Sequence, residues 1–215
     1  ANNISGSLPF CFCPPYVKQV HLSKNMLQGA LTIALHNSST LVTLDISENQ
    51  LTGTIPRWIG GLSNLSYLLL NDNNFEGGIP VELCDLNHLS FLDLSHNNLS
   101  GRIPHCLKIT TFEDESGNYM DVLKAAINWT FSFDEAIVIT TKNVSNSYKG
   151  EKILPYMSGI DLSCNNLVGE IPPQLGKFHM MHCLNLSYNH LTGPIPPTFS
   201  NLKQIESLDI SHNNL

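Results

Sequence analysis

The chain has 215 residues, 31 of them Leu and 23 Asn, whereas Asp, Glu, Lys and Arg together make up only 13%. An average soluble domain is about one quarter charged, so Asn, Ser, Thr and Gly must form much of the polar surface. The net charge is −7 and no cluster of Lys and Arg could neutralise phosphates, which excludes nucleic acid as an expected partner. The 14 Gly and 12 Pro are spread along the chain and argue against a bundle of long helices.

One phrase recurs along the sequence, as in LDISENQLTGTIP from Leu44 and LDLSHNNLSGRIP from Leu92. Its first Asn, which we call the marker Asn, returns at a nearly constant interval, with one longer gap between Asn97 and Asn165. The marker residues are Asn2, Asn25, Asn49, Asn73, Asn97, Asn165, Asn189 and Asn213, so the successive spacings are 23, 24, 24, 24, 68, 24 and 24. A strict period of this size indicates a solenoid, in which each copy is one coil stacked on its neighbours.

Each copy predicts one short parallel strand. Leu68 and Leu70 would point into the core, while Tyr67 and Leu69 would point outwards. The marker Asn comes where the chain leaves the strand, and its amide can pair backbone groups that would otherwise be buried without a partner. We therefore predict a structural Asn ladder of Asn25, Asn49, Asn73, Asn97, Asn165, Asn189 and Asn213.

The pattern Leu-x-x-Leu-x-Leu-x-x-Asn, followed by Leu-x-Gly-x-Ile-Pro at Leu51 to Pro56 and Leu99 to Pro104, resembles the plant-specific subclass of 24-residue leucine-rich repeats. The resemblance implies an α/β-type solenoid that forms a curved right-handed superhelix, with a parallel β-sheet on its concave face and a second strand in the Gly-x-Ile-Pro segment. We expect repeats at 1–108 and at 157–215, uncapped at both ends, as in a fragment of a longer protein.

Two Cys residues, Cys84 and Cys106, fall at nearly equivalent places in consecutive coils. Their Cα atoms could therefore lie within the distance that a disulfide requires. We predict that they are bonded. The pairing of Cys11, Cys13, Cys164 and Cys183 stays open, and Cys11 or Cys13 could pair with a Cys outside this sequence. Together with the Cys content, seven sequons favour the secretory route. These predicted glycosylation sites are Asn3, Asn37, Asn64, Asn98, Asn128, Asn143 and Asn185.

The spacing of 68 indicates an insertion of about 44 residues in one coil, and we assign residues 109–156 to it. Ile127, Trp129, Phe131 and Phe133 alternate with polar residues, so we predict a β-hairpin with the apolar run that follows, Ala136 to Ile139. Its aromatic face either packs on the side of the solenoid or contributes to a ligand surface.

The segment Thr140 to Pro172 resembles the end of the island domain of plant leucine-rich-repeat receptor-like proteins. The resemblance implies that this region contacts a SERK-type co-receptor kinase. The matching residues are Lys142, Tyr148, Lys149 and Gly150. Without the resemblance, these residues are equally typical of an exposed polar loop.

No catalytic motif is present in the sequence. His179, His182 and Cys183 are close together but are too few for a zinc site, and Glu113 to Glu115 are typical of a solvated loop. We therefore expect neither an enzyme nor a metal or other cofactor.

Ligand contacts are expected among the outward strand positions on the concave face. Tyr67 and Phe91 are adjacent aromatic residues on neighbouring strands, and Asp93 and Asp161 belong to an acidic column. We predict these four residues as ligand contacts. The alternative for the Asp column is that it is only part of the repeat consensus.

These observations and the resemblance favour a ligand-recognising ectodomain fragment of a plant cell-surface receptor-like protein. By resemblance, it would bind a peptide, protein or glycan signal and recruit co-receptor and adaptor receptor kinases in defence or development. It would lie on the extracellular side of the plasma membrane, held by a transmembrane helix outside this sequence. The alternatives are a receptor-kinase ectodomain for a steroid or peptide hormone and a secreted inhibitor of cell-wall-degrading enzymes, against which the insertion argues.

Overall fold

The computed structural model describes residues 2–9, 16–110 and 158–215, and the backbone of two strands at 137–141 and 144–148. Within these residues the chain forms a solenoid with two parallel sheets of seven strands each. The concave sheet consists of β2 (Gln19–His21), β4 (Thr43–Asp45), β6 (Tyr67–Leu69), β8 (Phe91–Asp93), β12 (Gly159–Asp161), β14 (Cys183–Asn185) and β16 (Ser207–Asp209). The lateral sheet consists of β1 (Ser5–Gly6), β3 (Met26–Gly29), β5 (Gln50–Thr54), β7 (Asn74–Gly78), β9 (Asn98–Gly101), β13 (Asn166–Glu170) and β15 (His190–Thr192).

The concave sheet keeps the register of the repeat across the insertion. Leu68 pairs with Leu92 on the next strand, as the repeat period requires. Strand β12 then pairs directly with β8, and Ile160 lies opposite Leu92 although the whole insertion separates them in sequence. The insertion therefore leaves the stacking of the coils unchanged.

The lateral sheet is formed by the second strand of each coil, which the resemblance implies. One Gly in each repeat adopts a left-handed conformation, as Gly77 does with φ +77°, which residues with a Cβ rarely adopt. A Cβ on Gly77 would also lie 3.0 Å from Cγ2 of Thr54 on the preceding coil. Gly77 therefore permits both the turn and the close approach of its coil to the preceding one.

Short 3₁₀ helices complete the coils on the side away from the concave sheet. They span Ile33–Leu35, Arg57–Gly61, Val81–Asp85, Pro173–Lys177 and Pro197–Asn201. The helical part of this α/β-type solenoid is therefore 3₁₀ and not α in these coils. Leu65, Leu68 and Leu70 are fully buried, as predicted, in an apolar core that runs through consecutive coils.

The marker Asn residues pair backbone groups of their own coil and of the preceding coil. The Nδ2 of Asn73 donates to the carbonyl oxygen of Ile46 at 3.0 Å and to that of Leu70 at 3.2 Å. Its Oδ1 accepts the N–H of Leu51 at 3.0 Å. The same pattern recurs at Asn49, Asn97, Asn165, Asn189 and Asn213. The structure thus contains the ladder that the sequence predicts.

A disulfide joins Cys84 to Cys106, with 5.5 Å between their Cα atoms. Cys84 lies four residues after Pro80, where other coils carry Gly60 and Gly176. A Cβ on either glycine would collide with the backbone of the next coil. The disulfide therefore lies at one of the closest contacts between coils and ties two of them together just before the insertion.

The described part of the insertion contains a β-hairpin, and the predicted pairing of Ala136 to Ile139 with the segment before it stays a prediction. Strand β10 (Ile137–Thr141) pairs antiparallel with β11 (Val144–Tyr148), so the apolar run has a partner after it in sequence. The segment from Ile127 to Phe133, which we expected to be that partner, lies outside the described residues. At the first end of the insertion, the N–H of Thr110 donates to the carbonyl oxygen of Leu89 at 2.6 Å.

Replacing Asn73 by Ala should lower the free energy of unfolding by about 1 to 3 kcal/mol, because buried backbone groups of two coils lose their partners. Urea denaturation followed by circular dichroism measures the change. Asn74→Ala is the matched control, since Asn74 is the adjacent residue and is exposed. Equal denaturation midpoints for the two variants would contradict the role of the marker Asn.

Ser38→Ala should raise the stability by about 1 kcal/mol, because it removes a buried hydroxyl group. Ser38 occupies a position that is Leu62 and Leu86 in the following coils. It is 1% exposed, and its Oγ has no hydrogen-bond partner among the described residues. The sequon at Asn37 is retained, and thermal unfolding measures the gain. A lower Tm would mean that the hydroxyl group is satisfied.

Candidate ligand-recognition face

Each strand of the concave sheet presents two side chains on the face opposite the core. The first positions are Gln19, Thr43, Tyr67, Phe91, Gly159, Cys183 and Ser207. The third positions are His21, Asp45, Leu69, Asp93, Asp161, Asn185 and Asp209. Because neighbouring strands pair in register, these residues form two straight columns along the sheet.

The middle of the first column is buried. Phe91 is 1% exposed although it lies outside the main apolar core. Its neighbour Gly159 has no side chain, and a Cβ there would lie 3.1 Å from Cε2 of Phe91. Tyr67 on the other side is half-buried, and burial raises the pKa of its hydroxyl group. The prediction of Phe91 as a ligand contact is therefore corrected, whereas Tyr67 keeps accessible surface.

Asp93 and Asp161 are also buried, at 3% and 2% exposure. The Oδ1 of Asp93 accepts the N–H of Ser95 at 3.0 Å and its hydroxyl group at 2.6 Å. Asp161 accepts the same two bonds from Ser163, at 2.9 and 2.6 Å. Both carboxyl groups thus fix the turn after their own strand. Their prediction as ligand contacts is corrected, because each presents almost no surface to a ligand.

Asp45 makes the same turn but has a basic neighbour. Its Oδ1 accepts from Ser47, and its Oδ2 lies 3.7 Å from Nδ1 of His21. Burial acts to raise the pKa of Asp45, but the hydrogen bonds from His21 and Ser47 outweigh burial and hold it below the usual value. Asp45 is therefore a carboxylate at neutral pH.

The accessible side chains lie one step further along, at the carboxyl ends of the strands. The residue before each marker Asn adopts a left-handed conformation, with φ between 51° and 59°. We call these residues the exit column: Lys24, Glu48, Asp72, His96, Cys164, Tyr188 and His212. Cys164 is half-buried and the other six are exposed.

Contacts within the exit column join neighbouring coils. Lys24 and Glu48 form an ion pair at 3.2 Å, and the rings of Tyr188 and His212 stack with 4.0 Å between their centroids. The sequence analysis missed this column. The signal was available, because the residue before the marker Asn differs in charge and size from repeat to repeat, as a recognition surface requires.

The predicted co-receptor contacts fall in the insertion. Lys142, Lys149 and Gly150 lie outside the described residues, and Tyr148 ends strand β11, of which the backbone is described. Their role stays a prediction.

The His residues near the predicted metal-like cluster serve the fold. Nδ1 of His179 lies 3.0 Å from the carbonyl oxygen of Asn201, and Nδ1 of His182 lies 3.1 Å from the Oγ of Ser158. Among the described residues, no group of three or more potential ligands could hold a metal ion.

The structure describes two of the four remaining Cys residues. Cys164 and Cys183 have free thiol groups, and Cys11 and Cys13 lie outside the described residues. Burial, followed by the charges of Asp161 and Asp93, raises the pKa of Cys183 to about 12, so this thiol is not activated.

The predicted glycosylation sites differ in accessibility. Asn3, Asn37, Asn64 and Asn98 are exposed, and Asn128 and Asn143 lie outside the described residues. Asn185 is 7% exposed, and its Nδ2 donates to Oδ2 of Asp161 at 3.0 Å. The prediction for Asn185 is corrected, because the folded chain leaves no room for a glycan there.

The two sheets, the Asn ladder and the outward columns define a repeat solenoid. Residues 15–75, 39–99 and 155–215 match the family described as Leucine rich repeat. These matches cover more than half of the chain, which therefore belongs to the leucine-rich repeat family.

The chain is similar to plant receptors. It is 54% identical to Cuscuta receptor 1 of Solanum lycopersicum over 48 residues, which are 22% of this chain and 4% of that protein. The structure is similar to the Arabidopsis receptor kinase HAESA, solved with the peptide hormone IDA and the co-receptor SERK1, with a TM-score of 0.73 and 30% identity. That similarity covers 99% of this chain and 28% of HAESA.

A second solved structure, the plant peptide hormone receptor RGFR1 in complex with RGF2, has a TM-score of 0.63 and 25% identity over 99% of this chain and 31% of that one. The chain thus spans less than a third of these two receptor chains. The similarities support its recognition as a plant leucine-rich-repeat receptor-like protein, of a fold that is typically non-enzymatic. Among the described residues, no helix has the length and apolar character needed to cross a membrane.

On secretion from plant cells, we expect Asn64 and Asn98 to carry glycans and Asn185 to carry none, because only the first two are exposed. Glycopeptide mass spectrometry measures the occupancy of each site. Asn98→Gln provides a control for peptide assignment. A glycan on Asn185 in correctly folded protein would contradict the position of this side chain.

Proposed function

We propose that this chain is part of the ligand-recognition ectodomain of a plant cell-surface receptor-like protein, and that it binds an extended peptide along the carboxyl edge of the concave sheet. The observation that carries the proposal is the exit column, in which each coil places one variable side chain beside the next. An extended peptide suits such a surface, because both have regularly spaced side chains over a long distance.

The charges of the exit column favour a peptide with a basic residue near its middle. Glu48 is paired with Lys24, but Asp72 is exposed and lies beside His96 on the next coil. At the last two coils of the exit column, Tyr188 and His212 present stacked aromatic rings. A basic side chain near Asp72 and an apolar or aromatic one near Tyr188 would complement this order.

The proposal includes co-receptor recruitment through the insertion. HAESA was solved with both a peptide hormone and SERK1, and its fold is similar to that of this chain. Lys142, Tyr148, Lys149 and Gly150 are the residues that we propose as co-receptor contacts. The exposed sequons and the disulfide support a position on the extracellular side of the plasma membrane.

A second candidate is the ectodomain of a receptor kinase. HAESA is described as a receptor kinase, and the repeat solenoid is compatible with either type of receptor. The peptide-binding surface would be the same in both cases, so the experiment below tests the part that the two candidates share.

Asp72→Lys should weaken binding of peptides selected on the unmodified protein by about tenfold, because it reverses the charge at the middle of the exit column. Peptides are selected from a random synthetic library, and their affinity is measured by biolayer interferometry. Lys24 already occupies the equivalent position in another coil, so the variant should fold.

Glu76→Lys is the matched control, since it makes the same change in the same coil but on the exposed side of the lateral sheet. Its affinity should stay unchanged. Equal losses in both variants would indicate a nonspecific charge effect, and no loss in Asp72→Lys would remove the exit column from the peptide site.

A further inference from the structure

The third positions of the concave strands bring two carboxyl groups together at one place among the described coils. Asp45 is followed by Leu69, and Asp209 is preceded by Asn185. Only Asp93 and Asp161 are direct neighbours, paired in register on β8 and β12. These are also the two strands between which the insertion leaves and returns.

Three of the four carboxyl oxygens of this pair accept hydrogen bonds from neighbouring groups. Each Oδ1 is occupied by the serine of its own turn, Ser95 or Ser163. The Oδ2 of Asp161 accepts from Nδ2 of Asn185 at 3.0 Å. On its other side, Asp93 has Leu69, which offers no donor. Two buried carboxylates in this arrangement repel each other, and one proton between them removes the repulsion.

The other titratable groups near the pair do not provide a compensating positive charge inside the sheet. Strand β6 contributes Tyr67, with Asp72 beyond its end, and Asp72 acts to raise the pKa of Asp93 further. Strand β14 contributes Cys183, a neutral thiol. Burial raises the pKa of Asp161 and outweighs the hydrogen bonds from Ser163 and Asn185 and the weaker effect of His96 at the end of β8, which all lower it. Cys164 follows β12, and burial raises the pKa of its thiol as well.

We propose that Asp93 and Asp161 hold one shared proton in the folded protein, so that the contact between β8 and β12 is strongest in mildly acidic solution and weakens as this proton is lost. The device lies beside the insertion and adds a pH dependence to the solenoid there. It does not require the peptide site proposed above.

The direction of the effect follows from the pKa values. Burial, followed by the charge of Asp161, raises the pKa of Asp93 from 3.8 to about 8, and burial raises that of Asp161. The folded protein therefore retains a proton that the unfolded chain has already lost. Stability then falls as the pH rises from the unfolded to the folded pKa. Asp45 has the opposite effect on the pH dependence of stability. Its pKa is lowered, so its contribution to stability is lost only as the pH falls.

Asp93→Asn tests the proposal, because an amide can neither ionise nor repel Asp161. The chain already shows that Asn fits this position. Asn185 stands at the equivalent place on β14, and its Oδ1 accepts the N–H of Ser187 at 3.2 Å and its hydroxyl group at 2.8 Å. Thermal unfolding is measured on the whole chain at about pH 5 and about pH 8.

The fall in Tm between these two pH values should be smaller in Asp93→Asn than in the unmodified protein by at least about 3 °C. Asp45→Asn is the matched control at the same position of another coil. It should lower the Tm at both pH values, because it removes a carboxylate that the fold stabilises. The same pH dependence in Asp93→Asn as in the unmodified protein would overturn the proposal.

A second measurement does not depend on the folding of any variant. Carbon-13 NMR of the Asp carboxyl groups in the unmodified protein should reveal one carboxyl group that titrates above about pH 6, well above the ordinary range of Asp. If all Asp carboxyl groups of the folded protein titrate below that pH, the shared proton does not exist.

Discussion

The solenoid depends on one interaction, the pairing of buried backbone groups by the amide of the marker Asn. A coil that turns inside a stack must bury N–H and carbonyl groups that no strand can pair, and each would cost about 1 to 3 kcal/mol if left alone. Asn165 shows how general the solution is. It bonds the carbonyl oxygen of Leu94 and the N–H of Leu99, as if the insertion between them were absent. The fold therefore tolerates a large insertion, since the ladder is made between neighbours in space.

The sequence predicts the features that each coil repeats. The repeat period is sufficient to predict the inward Leu68 and Leu70 and the amide of Asn73, because these depend only on the position within one coil. The Cys84–Cys106 disulfide follows for the same reason. The burial of Phe91 could not be read in this way. Phe91 packs where Gly159 has no side chain. Gly159 lies next to Phe91 on the adjacent strand, but the whole insertion separates the two residues in sequence.

The same reasoning explains why Phe91, Asp93 and Asp161, which we predicted as ligand contacts, are buried. Outward strand positions are accessible only if the side chains of neighbouring strands leave space between them, and in the middle of the concave sheet they do not. The exit column has no such restriction, because the left-handed turn directs each residue away from the sheet edge. Tyr188 and Cys164 adopt this conformation although it is unfavourable for residues with a Cβ. The Asn ladder fixes the backbone there, so the side chain can differ from coil to coil.

The electrostatic state of a repeat position is likewise decided by the neighbouring coils. Asp45 and Asp93 occupy the same place in their repeats and accept the same two bonds from a serine. Yet Asp45 faces His21 and has a lowered pKa, whereas Asp93 faces Asp161 and has a raised one. The same Leu-Asp-x-Ser pattern in two repeats therefore favours a carboxylate in one coil and a protonated carboxyl group in the other. In a solenoid, the repeat fixes the backbone and the position of each side chain, and the order of the repeats fixes the chemistry.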